Sequence, residues 1–305
     1  MNEISSTLTN HETHWSRLIT RFREWCELVK LEHTVFALPF ALAGLVLATT
    51  NLPSLKVVLL TICAFAGARA AAMSLNRIID AAIDAENPRT KERAIPQGRI
   101  RKGEAGCFAF VAFSIMVWAA SQLPPLCLEL TPIAVLWLAF YSYTKRFTWL
   151  CHFCLGIALG GASLGGWLAA GGRLTTAAPW LLALSVSTWV AGFDVIYACQ
   201  DCDFDRRRKL YSIPARFGLV RALSLSSLLH VITVMALASV GVLLQLKFAF
   251  WSGLTLVGLM LFYEHLIVKP DDLSRVNAAF FNINGIVSVI CFFCILFDKV
   301  KLLPF

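Results

Sequence analysis

Apolar residues fall in nine long runs, separated by short stretches that gather most of the charge. The runs cover approximately 34–50, 55–80, 105–122, 126–143, 150–170, 178–200, 222–243, 248–268 and 277–298. Each is close to the ~17–25 residues that an α-helix needs to cross a bilayer. They predict an all-α fold: an integral membrane bundle of nine transmembrane helices. Ahead of them, Trp15, Leu18, Ile19, Phe22, Trp25, Cys26 and Val29 recur at helical spacing among polar residues. That pattern predicts an amphipathic helix on the membrane surface. Residues 1–33 thus read as an amphipathic N-terminal segment and 34–305 as the membrane domain. Gly156, Gly160, Gly161, Gly165 and Gly166 in the fifth run would let neighbouring helices approach closely.

Composition strengthens this picture. The 305 residues are 58% hydrophobic and 15% charged, with a mean hydropathy of +0.69, which excludes an ordinary soluble domain. Lys and Arg concentrate in the N-terminal segment and in the loops 84–104, 144–149, 201–221 and 269–276, whereas the opposite loops carry only Lys56, Arg173 and Lys247. This bias places the N-terminus in the cytoplasm. It also accounts for the net charge of +8 through lipid headgroups and an anionic substrate, with no need for nucleic acid or for an obligate protein partner. Three Cys-x-x-Cys pairs, Cys151/Cys154, Cys199/Cys202 and Cys291/Cys294, carry a metal or redox spacing. Each lies in or beside a membrane run, where cysteine packs as a small apolar residue.

The chemistry is concentrated at two helix ends. The second run closes on Asn76, Asp80 and Asp84, which share one helix face with neighbours about 6 Å apart. The sixth closes on Asp194, Asp201 and Asp205 on a common face, with Tyr197 close by. Like charges four residues apart repel, and a carboxylate at membrane depth costs roughly 2.5–3.5 kcal/mol. A shared divalent cation relieves both costs, because Mg²⁺ takes a few carboxylate oxygens and completes its shell with water and phosphate oxygens. Two such faces ringed by Lys and Arg predict a site for a diphosphate. Each motif is followed by a basic, proline-containing loop, which suggests two related helical units.

Beyond the acidic pairs, the stretch from Asn76 to Gly98, NRIIDAAIDAENPRTKERAIPQG, and the stretch from Asp194 to Gly218, DVIYACQDCDFDRRRKLYSIPARFG, occur in order with Tyr141-x-x-x-Lys145 and with the opening run His33 to Phe40. On these motifs the chain resembles the UbiA family of intramembrane aromatic prenyltransferases over nearly its whole length. The first motif and its Arg-Thr-x-x-Arg tail look most like the 4-hydroxybenzoate polyprenyltransferases within it.

The resemblance implies that Asn76, Asp80, Asp84, Asp201 and Asp205 hold Mg²⁺, and that Lys145, Arg89 and Arg93, joined by Lys30, neutralise the departing diphosphate. Tyr141 and Tyr197 are expected beside the breaking carbon–oxygen bond, with a plainer reading as interfacial aromatic anchors. Asp194, two turns deeper, is expected to serve the aromatic substrate or the allylic cation. Arg69 lies seven residues before Asn76, some 10 Å deeper by helical rise. Its two readings are a structural pair with Asp194 and a bidentate grip on an acceptor carboxylate.

The function so implied is transfer of a polyprenyl group from its diphosphate to a small aromatic acid in quinone biosynthesis, ubiquinone or menaquinone. The acceptor is expected to be 4-hydroxybenzoate, with a hydroxynaphthoate as the near alternative. The expected setting is a bacterial inner (plasma) membrane, with the site open to the cytoplasm. A rival of another class is an ion-coupled transporter, in which intramembrane carboxylates form an ion path. Against it, the acidic faces lie at helix ends rather than at broken helices near the midplane.

Overall fold

The chain folds into an all-α membrane bundle, seen here in a computed structural model that describes residues 14–30 and 34–300. The side chains of Trp15, Leu18, Val35 and Phe36, and the whole of Leu31 and His33, lie outside the described residues. In chain order the helices are α1 (His14–Leu28), α2 (Thr34–Leu47), α3 (Leu55–Glu86), α4 (Lys102–Ser121), α5 (Pro125–Glu129), α6 (Thr131–Thr144) and α7 (Cys151–Ala169). There follow α8 (Ala177–Ala198), α9 (Cys202–Arg207), α10 (Ile213–Phe217), α11 (Leu219–Leu243), α12 (Phe248–Ile267), α13 (Val276–Ala278) and α14 (Asn284–Val300).

Among the described residues, eight helical segments are long and apolar enough to cross a membrane; α5 and α6 together make one, and α13 and α14 another. The first expected span is different. It forms α2, only 14 residues long, or about 21 Å by helical rise, against the ~30 Å of a hydrocarbon core.

Most of the core surrounds α8. Val186, Trp189 and Val190 have no exposed surface, and α8 packs against α7 and α11, while α2 lies between α7 and α14. Small residues set the close approaches. A Cβ at Gly166 would stand 1.8 Å from the Ala41 carbonyl of α2, and one at Gly160 would meet the Ala183 carbonyl of α8 at 2.6 Å. Gly161 and Gly165 face open space, so only part of the glycine run has a packing role. Large apolar side chains such as Phe110, Leu136, Met235 and Phe262 point outward, the inverse of a soluble fold and the surface that lipid requires.

One buried polar cluster ties α8, α12 and α14 together. The Trp189 indole donates to Asn284 Oδ1 (2.7 Å), and Asn284 Nδ2 donates to Glu264 Oε1 (2.9 Å). A π-helical turn at Ala279–Ile283 brings Asn284 to this position, where its amide also reaches the Ala279 carbonyl. Asn284 thus links three helices.

Of the apolar face expected at and just beyond α1, Trp25 and Val29 pack against buried neighbours. Leu28 is buried with Ala81, Ala94, Ile95 and Ile100, Trp25 stacks on Phe108, and Ile19 and Phe22 remain exposed. Arg21 and Glu24 pair with Glu104 and Arg99. The helix is therefore docked on the loop that follows α3.

Candidate active site

Helix α3 begins at Ser54, whose side chain accepts the Val57 N–H, and ends at Asn87. Pro88 disfavours helical geometry at the preceding residue, and Asn87 is extended (φ −84, ψ 120). The chain therefore turns sharply just beyond Asp84. Thr90 Oγ1 fixes the turn on the Asp84 carbonyl (3.1 Å), and Arg93 reaches back to both Asp84 carboxylate oxygens at 2.8 and 2.7 Å. One turn earlier, Asn76 Nδ2 donates to Asp80 Oδ2 (2.9 Å), as the four-residue spacing predicts.

The second acidic end departs from the helix assumed from sequence. α8 stops at Ala198, and a 3₁₀ turn, Cys199–Asp201, precedes α9. The tighter turn breaks the register that a single helix would give to Asp194, Asp201 and Asp205. Asp201 and Asp205 are buried with the site's cations, whereas Asp194 bonds to His152 on α7 (Oδ2 to Nδ1, 2.6 Å). The Arg69–Asp194 pair, one of the two readings of Arg69, is not present among the described ion pairs.

The two acidic ends meet. Asn87 Nδ2 donates to Asp201 Oδ1 across 3.0 Å, and its own Oδ1 accepts the Arg89 backbone N–H (2.9 Å). Arg89 then grips Asp201 through both Nε (2.9 Å) and Nη2, and donates from Nη1 to the Tyr197 hydroxyl (2.9 Å). Its guanidinium carbon lies 4.9 Å from the Tyr197 ring centre. From the end of α6, Lys145 Nζ stands 2.8 Å from Asp205 Oδ1, while its neighbour Arg146 lies 2.9 Å from Asp80 Oδ1. Each of these four aspartates therefore has a basic partner, and the cations come from two loops between them.

Electrostatics follow from that pairing. Burial works against the charge on Arg89, but the Asp201 carboxylate outweighs it and raises the guanidinium above its ordinary range. Burial also opposes charge on Lys145, and Asp205 again prevails, lifting the ammonium above the usual lysine value. Both side chains stay cationic at any physiological pH.

Of the other expected residues, Lys30 lines a small pocket with Glu27, Arg77 and Arg93. Tyr141 lies within electrostatic reach of Arg69, Arg77 and Asp80. Arg69 has a buried Nε with no hydrogen-bond partner among the described residues. From Tyr197 an aromatic file runs inward: Phe280 at 4.2 Å, then Phe193, Trp189 and Phe40 at successive centroid distances of 5.3, 4.9 and 4.9 Å.

Four residues of the site were not singled out from sequence. Asn87 was readable as a helix stop before Pro88, Arg146 as the neighbour of Lys145, and His152 as a histidine within a membrane run. Ser212, whose hydroxyl donates to Asp205 Oδ2 (2.8 Å), had no signal beyond its motif. The cysteines behave as packing residues: all ten are free thiols, and Cys199 and Cys202 donate to the Val195 and Pro214 carbonyls.

Among the described residues, no group of three or more His, Cys, Asp or Glu side chains forms a ready metal cage. The oxygen donors of Asn76, Asp80, Asp84, Asp201 and Asp205 fit Mg²⁺, which is commonly held by one or two carboxylates together with substrate phosphates.

Residues 37–286 match the UbiA prenyltransferase family. A 4-hydroxybenzoate octaprenyltransferase of Histophilus somni (strain 129Pt) is 32% identical over 264 residues, covering 83% of this chain and 88% of that protein. One from Vibrio atlanticus (strain LGP32) is 26% identical, covering 88% of this chain and 94% of its own length. Among solved structures, the apo form of a UbiA homolog from Aeropyrum pernix K1 superposes with a TM-score of 0.80 at 34% identity, over 88% of this chain and 98% of that one. A UbiA homolog from Archaeoglobus fulgidus, bound to DMAPP and Mg²⁺, shares the fold at a TM-score of 0.69 and 18% identity, over 91% of this chain and 99% of that one. With two acidic helix ends joined through Asn87, Arg89 and the Lys145–Arg146 pair, and a family match over most of its length, the chain belongs to the UbiA prenyltransferase family.

Proposed function

We propose that this prenyltransferase moves a polyprenyl group from its diphosphate to a phenolic aromatic acid, 4-hydroxybenzoate, in quinone biosynthesis. The observation that carries the reading is the junction of the two acidic ends at Asn87 and Asp201, with four cations arrayed on the same carboxylates. Asn76, Asp80, Asp84, Asp201 and Asp205 are the residues that would hold Mg²⁺, which supplies positive charge to the leaving diphosphate. The names of the Histophilus and Vibrio relatives support this acceptor, and the DMAPP and Mg²⁺ of the Archaeoglobus structure support this donor class.

The chain's own side chains do the following. Arg89, Arg93, Lys145 and Arg146, with Lys30 beside them, exchange carboxylate partners for diphosphate oxygens and stabilise the charge that develops on departure. Tyr197, packed against Phe280, and Tyr141 present π-faces and phenolic oxygens to the allylic carbon as it becomes cationic. Arg69, with its unpartnered buried Nε, grips the acceptor carboxylate and sets the ring below the diphosphate. The ring attacks the allylic carbon; the carbon–hydrogen bond at the new ring substituent then breaks, and its electron pair restores aromaticity. Asp194 receives the proton. The surrounding apolar helices exclude water, which would otherwise capture the cation.

The test is a product assay on purified protein, with one prenyl diphosphate offered to 4-hydroxybenzoate and a hydroxynaphthoate together. Prenylated 4-hydroxybenzoate is expected as the main product. A prenylated naphthoate alone would replace the acceptor, and absence of any prenylated acid would remove the reading.

A further inference from the structure

We propose that His152 is a positioning residue that fixes Asp194 as the proton acceptor, and that it does so as a neutral imidazole which does not itself move a proton. The inference rests on the transferase reading above, and it adds to that reading a residue on another helix, outside every acidic and basic motif of the chain.

Hydrogen-bond directions settle the tautomer. The Ile213 backbone N–H points at His152 Nε2, at 3.3 Å. An N–H can only donate, so Nε2 accepts and carries no hydrogen. The single ring proton is therefore on Nδ1, where it is donated to Asp194 Oδ2 at 2.6 Å. A second ring proton would have to sit on Nε2, against the Ile213 N–H. The imidazole is thus blocked from relaying charge and serves as a fixed donor.

Burial distributes the roles. The His152 side chain is 3% exposed and that of Asp194 is 26% exposed. His152 thus holds one carboxylate oxygen of Asp194, and Oδ1, which makes no hydrogen bond among the described residues, is assigned to the proton. When the ring carbon–hydrogen bond breaks, its proton goes to Oδ1 and its electron pair goes back to the ring. His152 keeps its own proton throughout.

The clamp is shared with the diphosphate end. Ser212, adjacent to Ile213, donates to Asp205 Oδ2 and caps α10 by accepting the Ala215 N–H. Two consecutive residues therefore tie the proton acceptor and a cation-holding aspartate to one turn of chain. Placement of Asp194 relative to the leaving group depends on that turn, and errors of about 1 Å at a reacting group cost on the order of 100-fold in rate.

The experiment compares His152→Leu and His152→Gln in purified, detergent-solubilised full-length protein, each also made in an Asp194→Asn background. Glutamine carries an amide N–H for Asp194 and an oxygen for the Ile213 N–H, yet it cannot titrate. We expect His152→Leu to lower kcat about 10- to 100-fold while the KM for the prenyl diphosphate stays within about twofold of wild type. His152→Gln is expected to rescue kcat to within about threefold of wild type. In the Asp194→Asn background, His152→Leu is expected to cause no further loss, since residues acting as one unit are not additive. A folded His152→Gln protein with a kcat as low as a relay mutant would overturn the inference, as would additive losses in the double variant. If His152→Leu does not fold, the glutamine variant alone decides. Wild-type protein that prenylates no phenolic acid would instead take down the activity reading and the inference together.

Discussion

Asn87, the residue at which the helix of the first acidic motif ends, donates its side-chain amide to Asp201 of the second at 3.0 Å. The two motifs are separated by more than a hundred residues, so this bond converts two helix ends into one site. Its partner atoms are buried, and hydrogen bonds to charged groups are worth about 1.5–3 kcal/mol. Asn87→Ala is expected to lower kcat/KM for the prenyl diphosphate by about tenfold or more without loss of expression. Steady-state kinetics in detergent check this. An unchanged value would mean that Arg89 alone orients Asp201.

Removal of charge from either acidic end should be more severe. Asp80→Asn and Asp201→Asn keep side-chain volume but withdraw an anionic ligand. Each is expected to leave a folded, membrane-inserted protein with activity reduced at least ~100-fold. Membrane fractionation and a radiolabelled transfer assay separate folding from chemistry.

Arg146 makes a prediction that its neighbour does not. Its guanidinium contacts Asp80 Oδ1 at 2.9 Å and donates to the Ile79 and Ser142 carbonyls. A lysine cannot reproduce that fork. Arg146→Lys should therefore lose prenyl diphosphate affinity nearly as far as Arg146→Met, whereas Lys145→Arg should retain much of it. Binding measured by isothermal titration with a non-hydrolysable diphosphate analogue distinguishes the two.

Arg69 should separate the two substrates. Its buried Nε has no hydrogen-bond partner among the described residues, and Asp194 is hydrogen-bonded to His152 instead. Arg69→Leu is expected to raise the KM for the aromatic acid about 10- to 100-fold, the value of a lost charge-assisted bond, with the KM for the prenyl diphosphate nearly unchanged. Equal losses on both substrates would reject the assignment.

The hydropathy pattern made most of the bundle legible, because apolar length is the constraint that a bilayer imposes most strongly. It carried the first run to residue 50, over Thr49 and Thr50, whereas helix α2 ends at Leu47. The acidic faces were legible wherever the helix is regular: Asn76 and Asp80 bond at the predicted four-residue spacing. They were less so across Cys199–Asp201, where a local 3₁₀ turn changes the rotation per residue and separates Asp194 from its expected companions. Partner choice was the least visible feature. Arg89 with Asp201, Lys145 with Asp205 and His152 with Asp194 are each fixed by helix packing across long stretches of sequence, and no periodicity encodes that.

The most direct test of the joined acidic ends is diphosphate release by purified protein in lipid vesicles, given a prenyl diphosphate and 4-hydroxybenzoate, with and without Mg²⁺. The structure predicts that release and prenylated acid appear together, vanish with EDTA, return on addition of Mg²⁺, and are absent in both Asp80→Asn and Asp201→Asn. Release that persists in EDTA, or that survives loss of either aspartate, would contradict it.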